Sequence, residues 1–382
     1  MTREGRLRIG RSGLLMSAAA GGVVALVASL ALSSPRHAQT ASLHAPNPAA
    51  LTASASATTT TAPPSTTTTA PTTTPAHRTS VTRSTPRATP GASLDGCPNL
   101  PTDNVWHSPV TSLPVLSHST QYVDSIGADA GVKADFGSGV FDGGPIGIPV
   151  TYASGGQRSV PVHFGYGDES DPGPYPIPAN AAVEGGPNSD GDRHVLVVDT
   201  GTCTLYELYN AHPDSDGSWQ ADSGAVYHLN SDQLRPRGWT SADAAGLPIT
   251  PGLVRYAEVA AGHIDHAIRV TVPRTQESFL WPARHDASSS TDTSLPPMGL
   301  RLRLKADVDI ADLPPQARVI AQAMKTEGVI VADNGSAWYI SGAPDPRWDN
   351  DDLHALDALH GSDFEAVDTS GLLIDATSGK AR

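Results

Sequence analysis

The sequence predicts a mainly β fold: a two-sheet antiparallel sandwich of jelly-roll type, decorated by a few short helices. Three observations lead there. From 100 to 310, short apolar runs are separated by Gly, Pro, Asn and Asp, the spacing of short strands joined by turns. No alternating strand–helix–strand pattern appears, which argues against a parallel α/β sheet. Helical periodicity is confined to four brief stretches.

The elements follow in order. Strands are predicted at 146–152 and 160–166 around the turn Ser154-Gly155-Gly156. A hairpin follows, with strands at 193–199 and 203–209 around Thr200-Gly201-Thr202. Alternation places His194, Leu196 and Val198 on one face and Val195, Val197 and Asp199 on the other. Further strands are predicted at 267–272, 278–281, 299–304, 329–333 and 338–341. Helices are predicted at 120–126 and 241–245, each ended by Gly. A third spans 315–327, with Pro315 at its start, an apolar face of Ala317, Ile320, Ala323 and Met324, and Gly328 as its stop. The fourth spans 351–360, carrying Leu353, Leu356 and Leu359.

Three zones of composition set the domain organisation. Residues 1–40 place Arg3, Arg6, Arg8 and Arg11 before an apolar, uncharged stretch at 12–32. That is the pattern of an export signal. The stretch is also long enough for a membrane anchor, with the rest of the chain outside. Residues 41–95 are rich in Thr, Ser, Pro and Ala, with little apolar surface to bury, and read as a disordered linker. Residues 96–382 are expected to form a single globular domain, with a monomer as its state. The protein is thus expected to be secreted, or anchored on the outer face of the cytoplasmic membrane.

Its two cysteines, Cys97 and Cys203, are expected to form a disulfide in an exported chain. The chain has 25 Lys and Arg against 39 Asp and Glu. Only eight of the former and two of the latter precede residue 96, so residues 96–382 carry a net charge of −20. Such a net charge argues against nucleic acid and anionic membrane surfaces as partners.

Four constellations carry polar chemistry. The first is an acidic loop holding Asp168, Glu169 and Asp171, continued by Asp190 and Asp192 after Asn188. Hard oxygen ligands at this spacing suit Ca²⁺, with Asp168, Asp171 and Asp190 as ligands, although the EF-hand order is missing. A solvated acidic turn is the other reading. The second is Asp192 with His194, two residues apart at a strand start, with His266 as a candidate third member. The third is Trp281 with Arg284 and His285, where an indole face and hydrogen-bonding cations suit a sugar. The fourth is Asp333 and Asn334, followed by Trp338 and Trp348; an Asn-Gly turn and a helix cap also account for part of it. The site expected from these has Glu184, Asp192, His194, His266 and Asp333 as catalytic residues. Arg269, Trp281, Arg284, His285, Trp338 and Trp348 would contact substrate.

Several strings carry a resemblance: EGG at 184–186, GDRHVLVVD at 191–199, CTLYELY at 203–209, GWTSADAAG at 238–246, HAIR at 266–269 and DNGS at 333–336. Together they look like a group of exported bacterial proteins of unassigned function, a likeness covering nearly all of 97–370. It implies no reaction and no catalytic residue. In overall shape the domain also resembles jelly-roll glycanases and polysaccharide lyases, whose catalytic motifs have no match here. The expected function is an extracellular carbohydrate-active protein that cleaves a polysaccharide or cell-wall glycan, as a hydrolase or as a lyase. The alternative is a glycan- or envelope-binding domain without turnover, stabilised by Ca²⁺.

Overall fold

A computed structural model describes residues 93–382. The expected export segment, and the linker apart from its last three residues, lie outside the described residues. Four helices occur in chain order: α1 (Ser119–Ile126), α2 (Tyr256–Ala261), α3 (Pro315–Thr326) and α4 (Asn350–His354). The strands are β1 (Lys133–Asp135), β2 (Val140–Phe141), β3 (Gly144–Pro145), β4 (Val150–Ala153), β5 (Val162–Phe164), β6 (Val195–Asp199), β7 (Thr204–Tyr209) and β8 (His212–Pro213). They continue as β9 (Trp219–Ala221), β10 (Ser223–His228), β11 (Ile268–Val272), β12 (Arg301–Leu304), β13 (Val329–Asn334), β14 (Tyr339–Ser341) and β15 (Phe364–Val367). More of the described chain is strand than helix, as the sequence predicts. Among the described residues no helix is long and apolar enough to cross a membrane.

The strands form four sheets. One is six-stranded, in the order β1-β14-β11-β13-β12-β15, and one is four-stranded, in the order β10-β7-β6-β4. A three-stranded sheet (β5-β9-β8) and the β2–β3 ribbon complete the set. The expectation of purely antiparallel pairing is corrected, because β1–β14, β11–β13, β4–β6 and β5–β9 pair in parallel. Each of these parallel pairs joins strands separated by long stretches of chain, which sequence periodicity does not register.

Alternation along β6 explains the layering. Val195 and Val197 pack with Val162, Tyr175 and Trp219 of a smaller core under the three-stranded sheet. Val198 faces the other way, into the main core, with Leu205, Ala225 and Tyr227. Ile268, Val270, Val331 and Ile340 of the six-stranded sheet close that core from the far side, and α3 adds Ala317, Ile320 and Met324. The predicted α3 face is the buried one. Gly328 ends the turn after it with φ of 73°, and a Cβ there would lie 2.4 Å from the Leu302 carbonyl, so only glycine fits.

The expected disulfide is present: Cys97 is bonded to Cys203, with the Cα atoms 5.3 Å apart. Other expectations need correction. No helix forms at 241–245, because the Ser241 hydroxyl lies within hydrogen-bond distance of the Asp243 and Leu247 carbonyls, donating to one of them, and accepts from the Asp243 N–H. That local bonding competes with a helix. The 278–281 strand reduces to a single bridge at Phe279. The helix at 351–360 is shorter, running Asn350–His354 and then tightening into a 3-10 turn, Ala355–Ala358. Strands β1–β3, β8–β10 and β15 fall where no strand is predicted.

Candidate functional site

The site is built around a buried arginine on the central strand of the six-stranded sheet. Along β11, Ile268, Val270 and Val272 enter the main core, which turns Arg269 to the opposite face. Its Nε donates to Asp243 Oδ2 at 2.9 Å and its Nη2 to Asp243 Oδ1 at 3.0 Å, a two-pronged pair. Nη1 donates to Ser341 Oγ of β14 at 2.7 Å, and Nη2 also to Asp333 Oδ2 of β13 at 3.1 Å. The last contact depends on a bulge. Val270 pairs with Val331, but Thr271 pairs with Asp333, so Ala332 is the extra residue. Without that slip Asp333 would project from the opposite face; the bulge re-aims it onto the face of Arg269. Burial opposes the Arg269 charge, but Asp243, then Asp333 and Glu184, more than offset it and raise its pKa.

Asp333 is the most perturbed carboxyl there. Burial and then the Asp243 charge push it up to about 7, against the opposing pull of Arg269. Its Oδ1 accepts the Asn334 N–H at 2.7 Å, and its side chain keeps 23% of its surface exposed. Burial and the acidic neighbour therefore favour the protonated form of Asp333, and its side chain still reaches solvent.

Glu184 and His194 form the second half. Glu184 Oε2 accepts from His194 Nδ1 at 2.6 Å, and His194 Nε2 lies 3.0 Å from the Ala242 carbonyl. Both ring nitrogens face acceptors, so the ring satisfies both only as an imidazolium. Burial opposes that charge, but Glu184 outweighs it, and the His194 pKa rises to about 9. Glu184 is correspondingly held below the usual carboxylate range: burial works against this, and His194 overcomes it. Because Ala242 adjoins Asp243, His194 ties the Glu184 loop to the loop that holds Arg269.

This pairing has a stability consequence. The folded pKa of His194 lies above its ordinary 6.5, so its contribution is full below about pH 6.5 and is lost as pH rises through about 9. Stability of the native protein should decline between pH 7 and 9.5 by about 2–3 kcal/mol. His194→Gln should abolish most of that decline in urea-unfolding midpoints measured across this range. An equal decline in the variant would show that His194 is not its source.

The Glu184 loop is shaped by two devices. Arg193 donates to the carbonyls of Pro187, Ser189 and Ala211, closing the loop on itself. Gly185 and Gly186 then lie backbone to backbone against Gly143 and Gly144 of the β2–β3 ribbon. A Cβ on Gly144 would lie 2.1 Å from the Gly185 carbonyl carbon, so a side chain there would separate the two loops. Their docking forms a cleft of about 540 Å³ lined by Asp135, Phe141, Asp142, Glu184, Asn188 and Asp190, among others. Asp135 is pushed above the usual range by burial and then by Glu184, Arg269 opposes the rise, and Asp192 adds to it. Cleft and arginine cluster therefore share one electrostatic neighbourhood.

The sequence-predicted residues divide accordingly. Glu184, Asp192, His194 and Asp333 come together; Asp192 acts electrostatically on Asp135, His194 and Asp333. His266 does not join them. It is fully buried, with Nε2 3.1 Å from Glu258 Oε1, in a pairing completed by Arg255. That group holds the start of α2 and shares no hydrogen-bond partner with His194. Arg269 is expected to contact substrate, but Asp243, Ser341 and Asp333 occupy its guanidinium. Arg284 donates to the carbonyls of Arg235 and Ala376 and pins the C-terminal segment. His285 bonds the Ala244 carbonyl at 2.8 Å through Nδ1.

The aromatic platforms are also corrected. Trp338 is 1% exposed, stacked on Phe364, and donates to the Gly127 carbonyl. Trp348 is 4% exposed, wedged between Phe136 and Tyr256. Trp281 donates to the Ser378 carbonyl at 2.8 Å and packs partly buried on the main core. Core packing accounts for Trp338 and Trp348, whereas Trp281 is half-buried and tied to the C-terminal segment.

The calcium reading of Asp168, Asp171 and Asp190 fails on geometry. Asp171 is committed to Arg235 and to the Val226 N–H, while Asp190 lines the cleft beside Glu184. Among the described residues no group of three or more His, Cys, Asp or Glu side chains is arranged to hold a metal ion.

Sequence reasoning misses Asp135, Phe141, Asp142 and Asp243. One signal was present: an acidic residue followed by Gly-Gly-Pro occurs twice, at 142–145 and 184–187, and these are the two loops that dock. Comparison with protein-family models, with characterised proteins and with solved structures brings no match.

Proposed function

We propose that this chain is an extracellular carbohydrate-active protein that hydrolyses a glycan at the Asp135–Glu184 cleft and the adjoining Asp333. The observation that carries this reading is a carboxyl with a raised pKa, Asp333, in one neighbourhood with the exposed carboxyl of Asp192 and with Glu184. Asp333 is pushed up to about 7, whereas Glu184 is held ionised by His194. Glycoside hydrolysis needs one protonated carboxyl to deliver a proton to the leaving oxygen and one carboxylate to act at the anomeric carbon or on water. Asp333 takes the acid role. Asp192, exposed and electrostatically coupled to Asp333, takes the carboxylate role, because Glu184 is bound up with His194.

A lyase is disfavoured on the same observations. His194 is doubly bonded and protonated, so it cannot accept a proton. Tyr209, its ring 5.8 Å from His194, is pushed up to about 12 by burial and then by Asp192. That makes it a poor base at neutral pH. Export through residues 1–40, by a cleaved signal or a retained anchor, belongs to the same proposal.

Soil and cell-wall polysaccharides incubated with the full-length protein should release reducing ends from at least one substrate. Asp192→Asn should lower that rate by about 10²–10⁴. No release from any polysaccharide, or a rate untouched in Asp192→Asn, would overturn the assignment.

A further inference from the structure

The β2–β3 ribbon presents its apolar side chains to solvent. Val140 and Phe141 are 71% and 67% exposed, and no core residue covers them. For a two-residue strand this is unusual, since a strand normally buries one face. The cross-strand partner of Phe141 is Gly144, which has no side chain to cover the ring. Gly144 itself is held against Gly185 and Gly186, so the ring stands beside the Glu184 turn. The base of the ribbon is clamped. Gly137 N–H donates to the Ile146 carbonyl, and Asn350 bonds both the N–H and the carbonyl of Ser138. Phe141 is therefore an exposed ring on an anchored ribbon that forms one wall of the cleft.

The opposite requirement comes from charge. Among the described residues Asp135, Asp142 and Asp190 have no salt-bridge partner, although all three line this cleft. None of its lining residues is Lys or Arg. An aromatic face beside unpaired carboxylates is complementary to a ring that is apolar on one face and carries a cation at its edge.

We propose that Phe141 is the ligand-stacking residue of this cleft and that its ligand is an amino sugar with a free ammonium group, held by Asp135, Asp142 and Asp190. This inference deepens the hydrolase reading and rests on it for the site's location. It names the substrate class: a glucosamine-type glycan with unacetylated amines. The ring packs on the C–H face of the pyranose, and the ammonium group sits among the carboxylates. A neutral or N-acetylated sugar retains the first contact and loses the second.

Titration calorimetry on the full-length protein tests this with three probes: the β-1,4 hexamer of glucosamine, the corresponding N-acetylglucosamine hexamer, and cellohexaose. Measurements at mildly acidic pH keep the amines charged, and the Asp333→Asn background removes turnover. The glucosamine hexamer should bind about tenfold more tightly than the other two. Phe141→Ala, at an exposed position outside the core, should weaken it about tenfold, and Phe141→Tyr should restore it. Equal binding of the three probes, no binding of the glucosamine hexamer, or wild-type affinity in Phe141→Ala would overturn the proposal. Cleavage of a neutral glycan with no preference for amines would sink this inference and leave the hydrolase reading standing. Phe141-dependent binding of the glucosamine hexamer by a wild-type protein that cleaves nothing would do the reverse.

Discussion

Replacing Cys97 and Cys203 together by Ser should lower stability by about 4–5 kcal/mol, the largest single effect expected in this molecule. The two residues are 106 apart in sequence, so the bond removes much of the freedom of the unfolded chain. It also fixes a segment with few other ties. Leu94 and Cys97 are buried in the main core, but the segment's regular bonding is only the bridge between those two residues. Urea unfolding with and without a thiol reductant reads the loss directly. A change below about 1 kcal/mol would mean that burial of Leu94 and Cys97 holds the segment without the bond.

Asp243→Ala should cost about 3–5 kcal/mol, because it leaves the Arg269 charge buried with only half its partners. Asp243 is fully buried and takes two of the guanidinium bonds; Ser341 and Asp333 retain the others. The same substitution should also change Asp333. The Asp243 charge is the second cause of its raised pKa, after burial, so its loss should move Asp333 back toward the ordinary carboxylate range. Denaturation midpoints measure the first effect, and carboxyl titration by NMR the second. A stable variant with an unshifted Asp333 would remove Asp243 from the centre of the site.

The parts of this structure that were legible in the sequence are those governed by local periodicity. The β6–β7 hairpin, the buried face of α3 and the separation of Val195 and Val197 from Val198 all follow from alternation or helical spacing. The disulfide followed from cysteine count and expected export. What escaped was set by contacts distant in sequence. Strand spacing pairs His194 with Asp192, yet its partner is Glu184, brought back by a ten-residue loop. Asp333 reaches Arg269 only through a bulge that periodicity does not show. Trp338 and Trp348 had the composition of a sugar platform, but a tryptophan packs a core equally well, and burial decides between the two. Asp243 lay in a stretch read as a helix, and Ser241 diverts that stretch into a turn.

The central claim is that Asp333 delivers a proton in catalysis. Once a cleaved glycan is in hand, the pH dependence of kcat/KM, which reports ionisations of the free enzyme, tests it most directly. A general acid must be protonated, so activity should fall as pH rises through about 7, the value to which Asp333 is pushed. Asp333→Asn should lower kcat by about 10²–10⁴ and abolish that alkaline limb. An Asp333→Asn enzyme that keeps wild-type kcat, or the same alkaline limb, would contradict the account.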